Sequence, residues 1–514
     1  MIFDYLILLV YALAMVAIAF YTKNRSGTVN DFLLAGKRGL NGWMTAFAYG
    51  TTYFSAVIFI GYAGQFGRSF GLASVWIGIG NALIGTLAAW LVLAKRTKNM
   101  TKRLEAKTMP EFFAKRYGDE RLKTVSALVI FIFLIPYSAS VYNGISSLFE
   151  IVFGIKGWIV MIILAALTAL YLFAGGYFAT ALSDFVQGII MIIGVICMIL
   201  CFMNHENVSW DISRLVGDSN LTWFTFGGEK SGGLYGTTVS LISLILLTSL
   251  GVWALPQTIH KYYAIRDKKA IRQGVIVSTA FALLIGFIAY FTGALSAFFP
   301  EVAAVKDAFV IPTMMKLVIP AGLTGVIAVL ILSASMSTLS SVSLASASVI
   351  ALDLYKGVLK KDASDKSTNR MMRGLCLLFV VISVVLAILN EELGIAAIAY
   401  MMGISWGTLA GCFMGPYVLG VLWKRVTKSA VWTSIISSLV LTVSLIFIFG
   451  YDKNNWSCSF GKALQDGIGT SPLIGVICMI FSLIITVLVS LVTKPVDNAI
   501  LTEAFDKSFE GEIK

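Results

Sequence analysis

Apolar runs of 18 or more residues recur from one end of this chain to the other, and no other feature limits its fold so strongly. Each run is long enough to cross a hydrocarbon core of about 30 Å as a helix. Lipid offers backbone groups no partners, so a chain built from such runs must satisfy its N–H and C=O groups within helices. Over the 514 residues the runs predict thirteen spans, at about 2–22, 40–66, 71–94, 124–153, 157–174, 179–203, 235–258, 273–298, 320–350, 371–390, 393–421, 428–450 and 472–492. Composition agrees. Charged residues make up 13% of the chain and hydrophobic residues 58%, whereas a soluble domain carries roughly 25% charged residues. An all-α integral membrane protein follows, with little chain left for a soluble domain. The first run, Ile2 to Tyr21, has no basic leader and no small-residue cleavage site after it, so it reads as a retained helix rather than a signal peptide.

The net charge of +12 points to nucleic acid only until the charges are located. Of 39 Lys and Arg, 31 fall in 23–39, 95–123, 261–272, 353–373, 424–428 and the C-terminal tail. The other 8 are Arg68, Lys156, Arg214, Lys230, Lys306, Lys316, Lys453 and Lys462. That alternation is the positive-inside bias. It predicts a multi-pass plasma-membrane protein with its N-terminus outside and its C-terminus cytoplasmic. Three connectors stand out: a basic inner loop, 95–123, holding an amphipathic piece from Met109 to Tyr117; a long polar outer loop, 204–233; and an outer loop with a short helix, 299–319.

The six cysteines are Cys197, Cys201, Cys376, Cys412, Cys458 and Cys478, and the histidines number 2. Five cysteines lie in apolar runs and none has metal-ligand spacing, so no zinc site is expected. Cys458 alone falls in an outer loop and has no disulfide partner there. No phosphate-binding glycine loop with lysine, no HExxH and no GxSxG with a plausible triad is present. The chain is therefore not expected to be an enzyme, to consume ATP or to hold an organic cofactor.

Polar side chains at membrane depth are costly and face a partner or a cavity, and four groups of them are prominent. In the second span, Gly50-Thr51-Thr52-Tyr53-Phe54-Ser55 sets glycine beside two β-branched threonines, poor material for a smooth helix. One reading is an unwound turn whose carbonyls meet an ion; the other is close helix packing through small residues. In Ser333-Ala334-Ser335-Met336-Ser337-Thr338-Leu339-Ser340-Ser341, helical spacing puts Ala334, Ser337, Thr338 and Ser341 on one face, with Ser340 one turn beyond Ser337. Hydroxyl oxygens suit a hard cation such as sodium, although each hydroxyl can instead bond its own preceding turn. Asp184 stands among uncharged residues at a span entrance. Unpaired burial would cost several kcal/mol, so either a cation or proton accompanies it or a helix N-terminus stabilises it. Finally, Pro256 breaks the ladder in Trp253-Ala254-Leu255-Pro256-Gln257. With Tyr137, this stretch forms either the lining for a small solute or a kinked packing helix.

In these residues the sequence resembles the sodium:solute symporter family, over roughly residues 1–425 and nearest to its bacterial sodium/proline branch. The stretches that carry the resemblance are Asp31-Phe32-Leu33-Leu34-Ala35-Gly36-Lys37-Arg38, the turn from Thr51 to Ala56, Met109-Pro110-Glu111-Phe112-Phe113 with Arg116, Gly175-Gly176 to Gln187, and Ala334 to Asp353-Leu354-Tyr355. The resemblance implies one transmembrane domain with a core of two inverted five-helix repeats, spans 2–6 and 7–11, and a broken second span. Residues 1–39 form a leading helix and inner loop, 40–203 the first repeat, 235–421 the second, and 428–514 trailing helices and tail. It implies a sodium site made by carbonyls of Thr51, Phe54 and Ala334 with hydroxyls of Ser337 and Thr338. A second site, as in the sialic acid branch, would use Asp184, Ser340 and Ser341. Solute would meet Tyr53, Ser55, Val57, Tyr137, Trp253, Pro256 and Gln257. Ser55, Tyr137 and Pro256 are shared with the proline branch, which has an aspartate in place of Tyr53 and a tryptophan in place of Val57. The function implied is sodium-coupled uptake of a small organic solute, an amino acid such as proline or a small organic acid. The rivals are a proton-coupled transporter using Asp184, a sugar- or sialic-acid-type sodium symporter, and a transporter-like membrane sensor, for which no output domain follows Lys514.

Overall fold

The computed structural model describes residues 2–23, 27–34, 40–217, 222–223, 236–394 and 397–506. Parts of two expected features, the Asp31–Arg38 stretch beyond Leu34 and residues 218–221 and 224–233 of the 204–233 loop, lie outside the described residues, as does the end of the C-terminal tail. The described chain is helical throughout. Its main helices are α1 (Ile2–Thr22), α2 (Gly42–Tyr53), α3 (Val57–Arg103), α4 (Glu120–Phe153), α5 (Gly157–Asn204), α6 (Thr238–Ala254) and α7 (Pro256–Tyr263). They continue with α8 (Lys268–Phe298), α9 (Thr324–Leu359), α10 (Asp365–Leu393), α11 (Ile398–Leu422), α12 (Lys428–Asp452) and α13 (Ser471–Val492).

By length and apolarity, 10 of these helices can cross a membrane, or 11 when α6 and α7, bent by 45°, count as one span. Thirteen were expected, and the difference has a physical origin. The expected second span is cut at Phe54 and Ser55, which leaves α2 with 12 residues, too short to cross alone. The remainder runs on into the next expected span as α3, and the expected fifth and sixth spans run together as α5, helical stretches of 47 and 48 residues. Both contain a glycine with positive φ, Gly71 at 55° and Gly176 at 55°.

Burial sorts the helices by depth in the bundle. In α9 94% of the most apolar window is buried inside the protein, against 22% in α1. So α9 is the central post, packed against α5, α4, α2 and α1, while α1 faces lipid. Helices α11, α12 and α13 pack on one another beside this core.

Residues that looked like sequence motifs fix the helix ends. Thr108 caps the short helix Met109–Tyr117 by accepting from the Glu111 N–H, and its own hydroxyl donates to Asp353 at 2.7 Å. Arg116 is fully buried and donates to the carbonyls of Gly420, Trp423 and Lys424 at 3.1, 3.2 and 3.3 Å. It thereby satisfies the terminal oxygens of α11, where positive charge is favoured. The 299–319 connector contains the helix Val310–Val318.

Gly176 supplies a test of the fold. A Cβ there would lie 2.7 Å from the Phe32 carbonyl oxygen, on a backbone conformation that β-branched residues avoid. Gly176→Val should therefore destabilise the protein by about 2 kcal/mol or more, read as a melting temperature several degrees lower in detergent. Gly154→Asn is the control. Gly154 also has positive φ, at 68°, but nothing within 4 Å, and Asn tolerates this region, so that variant should melt close to wild type.

Candidate functional site

The site forms where α2 stops. Phe54 leaves the helix at φ −102° and ψ 110°, although its N–H still bonds Gly50 O. Ser55 follows without helical structure, and its hydroxyl accepts from the Val57 N–H at 3.3 Å. The carbonyls of the last turn of α2 are thus turned toward a neighbour instead of being used up along a continuing ladder. That neighbour is the hydroxyl face of α9. Ser337 Oγ lies 3.0 Å from Thr51 O and 3.0 Å from Ala334 O. Thr338 Oγ1 lies 3.2 Å from Thr52 O and 3.2 Å from Ala334 O. Each hydroxyl has one proton for two acceptors, and all four distances exceed the usual O–H···O value of about 2.7–2.8 Å. Five oxygens from two helices therefore converge loosely, all on fully buried residues or on Thr52, at 2% exposure. Neutral oxygen donors in this number suit a hard monovalent cation. Elsewhere in the run, backbone bonding within the helix prevails: Ser335 bonds Ile331 O and Ser340 bonds Ser337 O.

Asp184 on α5 is fully buried and stands against Lys261 on α7, Nζ to Oδ2 3.5 Å. Among the described ion pairs, this one alone has both side chains at 0% exposure. The same ammonium donates to Ser341 Oγ at 2.8 Å and sits 5.2 Å from the centre of the Tyr177 ring. The structure therefore brings Asp184 and Ser341 together and adds a residue absent from the expected set. Lys261 was overlooked because it falls just past the expected end of the seventh span and counted as one more inner-loop charge. The signal was present: Pro256 starts a new helix at its first position, and one and a half turns from that start puts Lys261 on a buried face.

The expected solute residues divide. Tyr53, Ser55, Val57 and Tyr137 are all buried near the break. The Tyr53 hydroxyl donates to Thr248 O, and its ring lies 6.0 Å from that of Trp406 on α11. The Tyr137 ring meets the same tryptophan edge-on at 5.4 Å. The Tyr137 hydroxyl lies beside Ser55 and Thr338 with no hydrogen-bond partner, and the Trp406 indole N–H also lacks one. A buried donor without a partner costs about 1–3 kcal/mol, so the Tyr53–Tyr137–Trp406 cluster presents unspent polar groups next to the oxygen cluster. Trp406 is the second residue missed by the sequence reading. Trp253 donates its N–H to Ile84 O at 3.0 Å. Pro256 borders a small void with Met109, Ile259 and Ala345. Gln257 is buried with Oε1 unpartnered.

Two larger cavities lie at opposite ends of the bundle. One, of about 720 Å³, is lined by Gln65, Arg68, Asn143, Glu150, Asp307 and Glu391, with Arg68 and Asp307 paired at its rim. The other, of about 530 Å³, is lined by Lys98, Lys102, Glu105 and Lys115 among others.

The sodium:solute symporter family model matches residues 32–437. The osmoregulated proline transporter OpuE of Bacillus subtilis is 29% identical over 438 residues, 84% of this chain and 85% of the relative. The sodium/proline symporter of Escherichia coli is 28% identical over 458 residues, 86% and 87% of the two chains. Among solved structures, a Na+-coupled sialic acid symporter in a substrate-bound outward-open state superposes with a TM-score of 0.76 at 17% identity, over 96% of this chain and 98% of that one. This chain belongs to the sodium:solute symporter family. It is an all-α, multi-spanning membrane protein of inverted-repeat architecture, a sodium-coupled secondary transporter of a small organic solute and not an enzyme.

Gly85 tests the solute side. A Cβ there would lie 2.4 Å from the Tyr53 hydroxyl and 3.1 Å from Ser249 O. Gly85→Ala should push the Tyr53 hydroxyl off Thr248 O and, by displacing the Tyr53 ring, raise the KM for solute several-fold with the sodium dependence of uptake unchanged. An unaltered solute KM would remove Tyr53 from the solute site.

Proposed function

We propose that this transporter carries an amino acid such as proline, or a small organic acid, into the cell together with sodium held between α2 and α9. The observation that carries the reading is the meeting of the Ser337 and Thr338 hydroxyls with the Thr51 and Thr52 carbonyls at the break. The sodium ligands are the carbonyls of Thr51, Phe54 and Ala334 and the hydroxyls of Ser337 and Thr338. Asp184, Ser340 and Ser341 make a second cation position. Sodium here bridges two helices that no covalent bond holds together. Binding it favours the arrangement in which they are close, and a ligand shifts a conformational equilibrium only through such a difference.

The solute side is Tyr53, Ser55, Val57 and Tyr137, joined by Trp406, with Pro256 and Gln257 toward the inner end. The names of the proline-transporting relatives support an amino acid. Tyr53 and Val57, which replace an aspartate and a tryptophan of the proline branch, make the pocket less acidic and leave more room at Val57.

Alternating access fits the burial. The central residues are buried, and the cavities at the two ends are not lined by them. Rocking of one inverted repeat against the other opens each end in turn. We assign the Arg68–Asp307 end to the outside, from the charge bias of the loops. We also count thirteen spans, since helical stretches of 47 and 48 residues exceed any bilayer at 1.5 Å per residue and each must cross twice, turning at Gly71 and Gly176. On that count spans 2–6 and 7–11 are the repeats. The sodium gradient and the potential drive uptake, the latter worth about 2.3 kcal/mol per charge per 100 mV.

Ser337→Ala combined with Thr338→Ala should raise the sodium concentration for half-maximal uptake by at least about tenfold, since each bond to a charged group is worth roughly 1.5–3 kcal/mol. An unchanged sodium curve in proteoliposomes rejects the site. Val57→Trp should change the pattern of competing solutes and leave sodium binding intact; the reverse result means that the solute pocket lies elsewhere.

A further inference from the structure

We propose that the second cation position of this transporter is occupied by the chain's own Lys261 ammonium, so that Lys261 sets the stoichiometry at one sodium per cycle. The position is defined by Asp184 on α5 and Ser341 on α9, and Lys261 Nζ is in contact with both, at 3.5 Å and 2.8 Å. The hydroxyl protons give the arrangement a direction. Thr52 Oγ1 donates to Ala48 O at 2.6 Å, so its proton is spent. Across the 2.9 Å contact between Ser341 Oγ and Thr52 Oγ1, Ser341 must then be the donor. Ser341 thus accepts from the ammonium and donates to Thr52. A sodium ion on the same ligands would sit close beside this ammonium, whose Nζ contacts Ser341 Oγ at 2.8 Å and Asp184 Oδ2 at 3.5 Å, and the two cations repel one another.

Charge supports this. The fixed charges of the pocket are one carboxylate and one ammonium, both at 0% exposure, and they cancel. A sodium ion added beside Lys261 would leave a net positive charge where little screens it. The π-face of Tyr177, 5.2 Å from Nζ, holds the ammonium from another side. The titratable neighbours Tyr11, Tyr171 and Tyr177 and His260, which packs edge-on against Tyr177 at 5.0 Å, supply no carboxylate to balance a further cation. Lys261 also communicates with the first site. Thr52, which receives the Ser341 proton, presents its carbonyl to Thr338. A cation that cannot diffuse away, carried on the short helix α7 after the break at Pro256, keeps this connection made without drawing an ion from solution.

The inference rests on the sodium reading of the previous section only for the first site. Equilibrium binding of radiolabelled sodium to the purified full chain tests it without solute. Wild type should bind one sodium per chain. Lys261→Gln leaves Asp184 without its cation and should bind two. The double variant Asp184→Asn with Lys261→Gln removes both charges and should return to one. Two ions on wild type overturn the proposal, as does a monodisperse, wild-type-like helical Lys261→Gln protein that binds no more than wild type. If Lys261→Gln does not fold, the wild-type count decides. No ion on wild type with one on Lys261→Gln would uphold the role of Lys261 and reject the first sodium site instead.

Discussion

The end of α2 at Phe54 is the constraint on which the rest of the structure depends. A helix that stops in the middle of a membrane protein leaves carbonyl oxygens that water cannot reach, and each must be satisfied from within. Here the satisfaction comes from α9, whose Ser337 and Thr338 hydroxyls are brought within 3.0–3.2 Å of Thr51 O and Thr52 O. That need fits α9 being the most enclosed of the long helices, with small side chains along its face. Contacts between neutral hydroxyls and carbonyls at these lengths are weak. They hold the two helices together loosely and leave oxygen lone pairs for a cation to gather. A coupling device requires that combination: an interface stable enough to form, yet improved by an ion.

The same economy of charge runs through the protein. Buried ionic groups are few, and each has a task of position. Arg116 closes the end of α11, Asp353 receives Thr108, and Asp184 faces Lys261. Removing one member of a buried pair costs roughly 3–5 kcal/mol because the other charge is left uncompensated. The Asp184–Lys261 pair therefore ties α5 to α7 wherever these helices remain close, and α7 is free to bend because Pro256 breaks it from α6. The two breaks, at Phe54 and at Leu255, give the core two short helical segments, each presenting a polar group toward α9.

Much of this was legible in the sequence because the membrane is a strict grammar. The helical runs and the hydroxyl stripe of α9 follow from apolar length and from the spacing of Ser337, Thr338 and Ser341, whereas glycine beside threonines left a break in the second span open against close packing, and the break was implied by the resemblance alone. Three points separate the sequence reading from the structure, each for its own reason. The helix count by length falls below thirteen because the kinks at Gly71 and Gly176 need no loop, so the stretches on either side run on as single helices of 47 and 48 residues. Lys261 escaped because a basic residue at the inner end of a span is expected there on electrostatic grounds, and only the fold reveals that it points inward. Trp406 escaped because an aromatic between glycines in an apolar run reads as packing until its unpartnered N–H is placed beside Tyr53 and Tyr137.

If sodium and solute share the framework formed by the end of α2, then each must strengthen the binding of the other, and by the same factor, since coupling free energy is reciprocal. The direct measurement is solute binding to purified protein across a series of sodium concentrations, paired with sodium binding across a series of solute concentrations. The account predicts that saturating sodium tightens solute binding by the same factor as saturating solute tightens sodium binding, and that both factors vanish in Ser337→Ala/Thr338→Ala. Solute affinity that is indifferent to sodium would contradict it, however well each ligand bound alone.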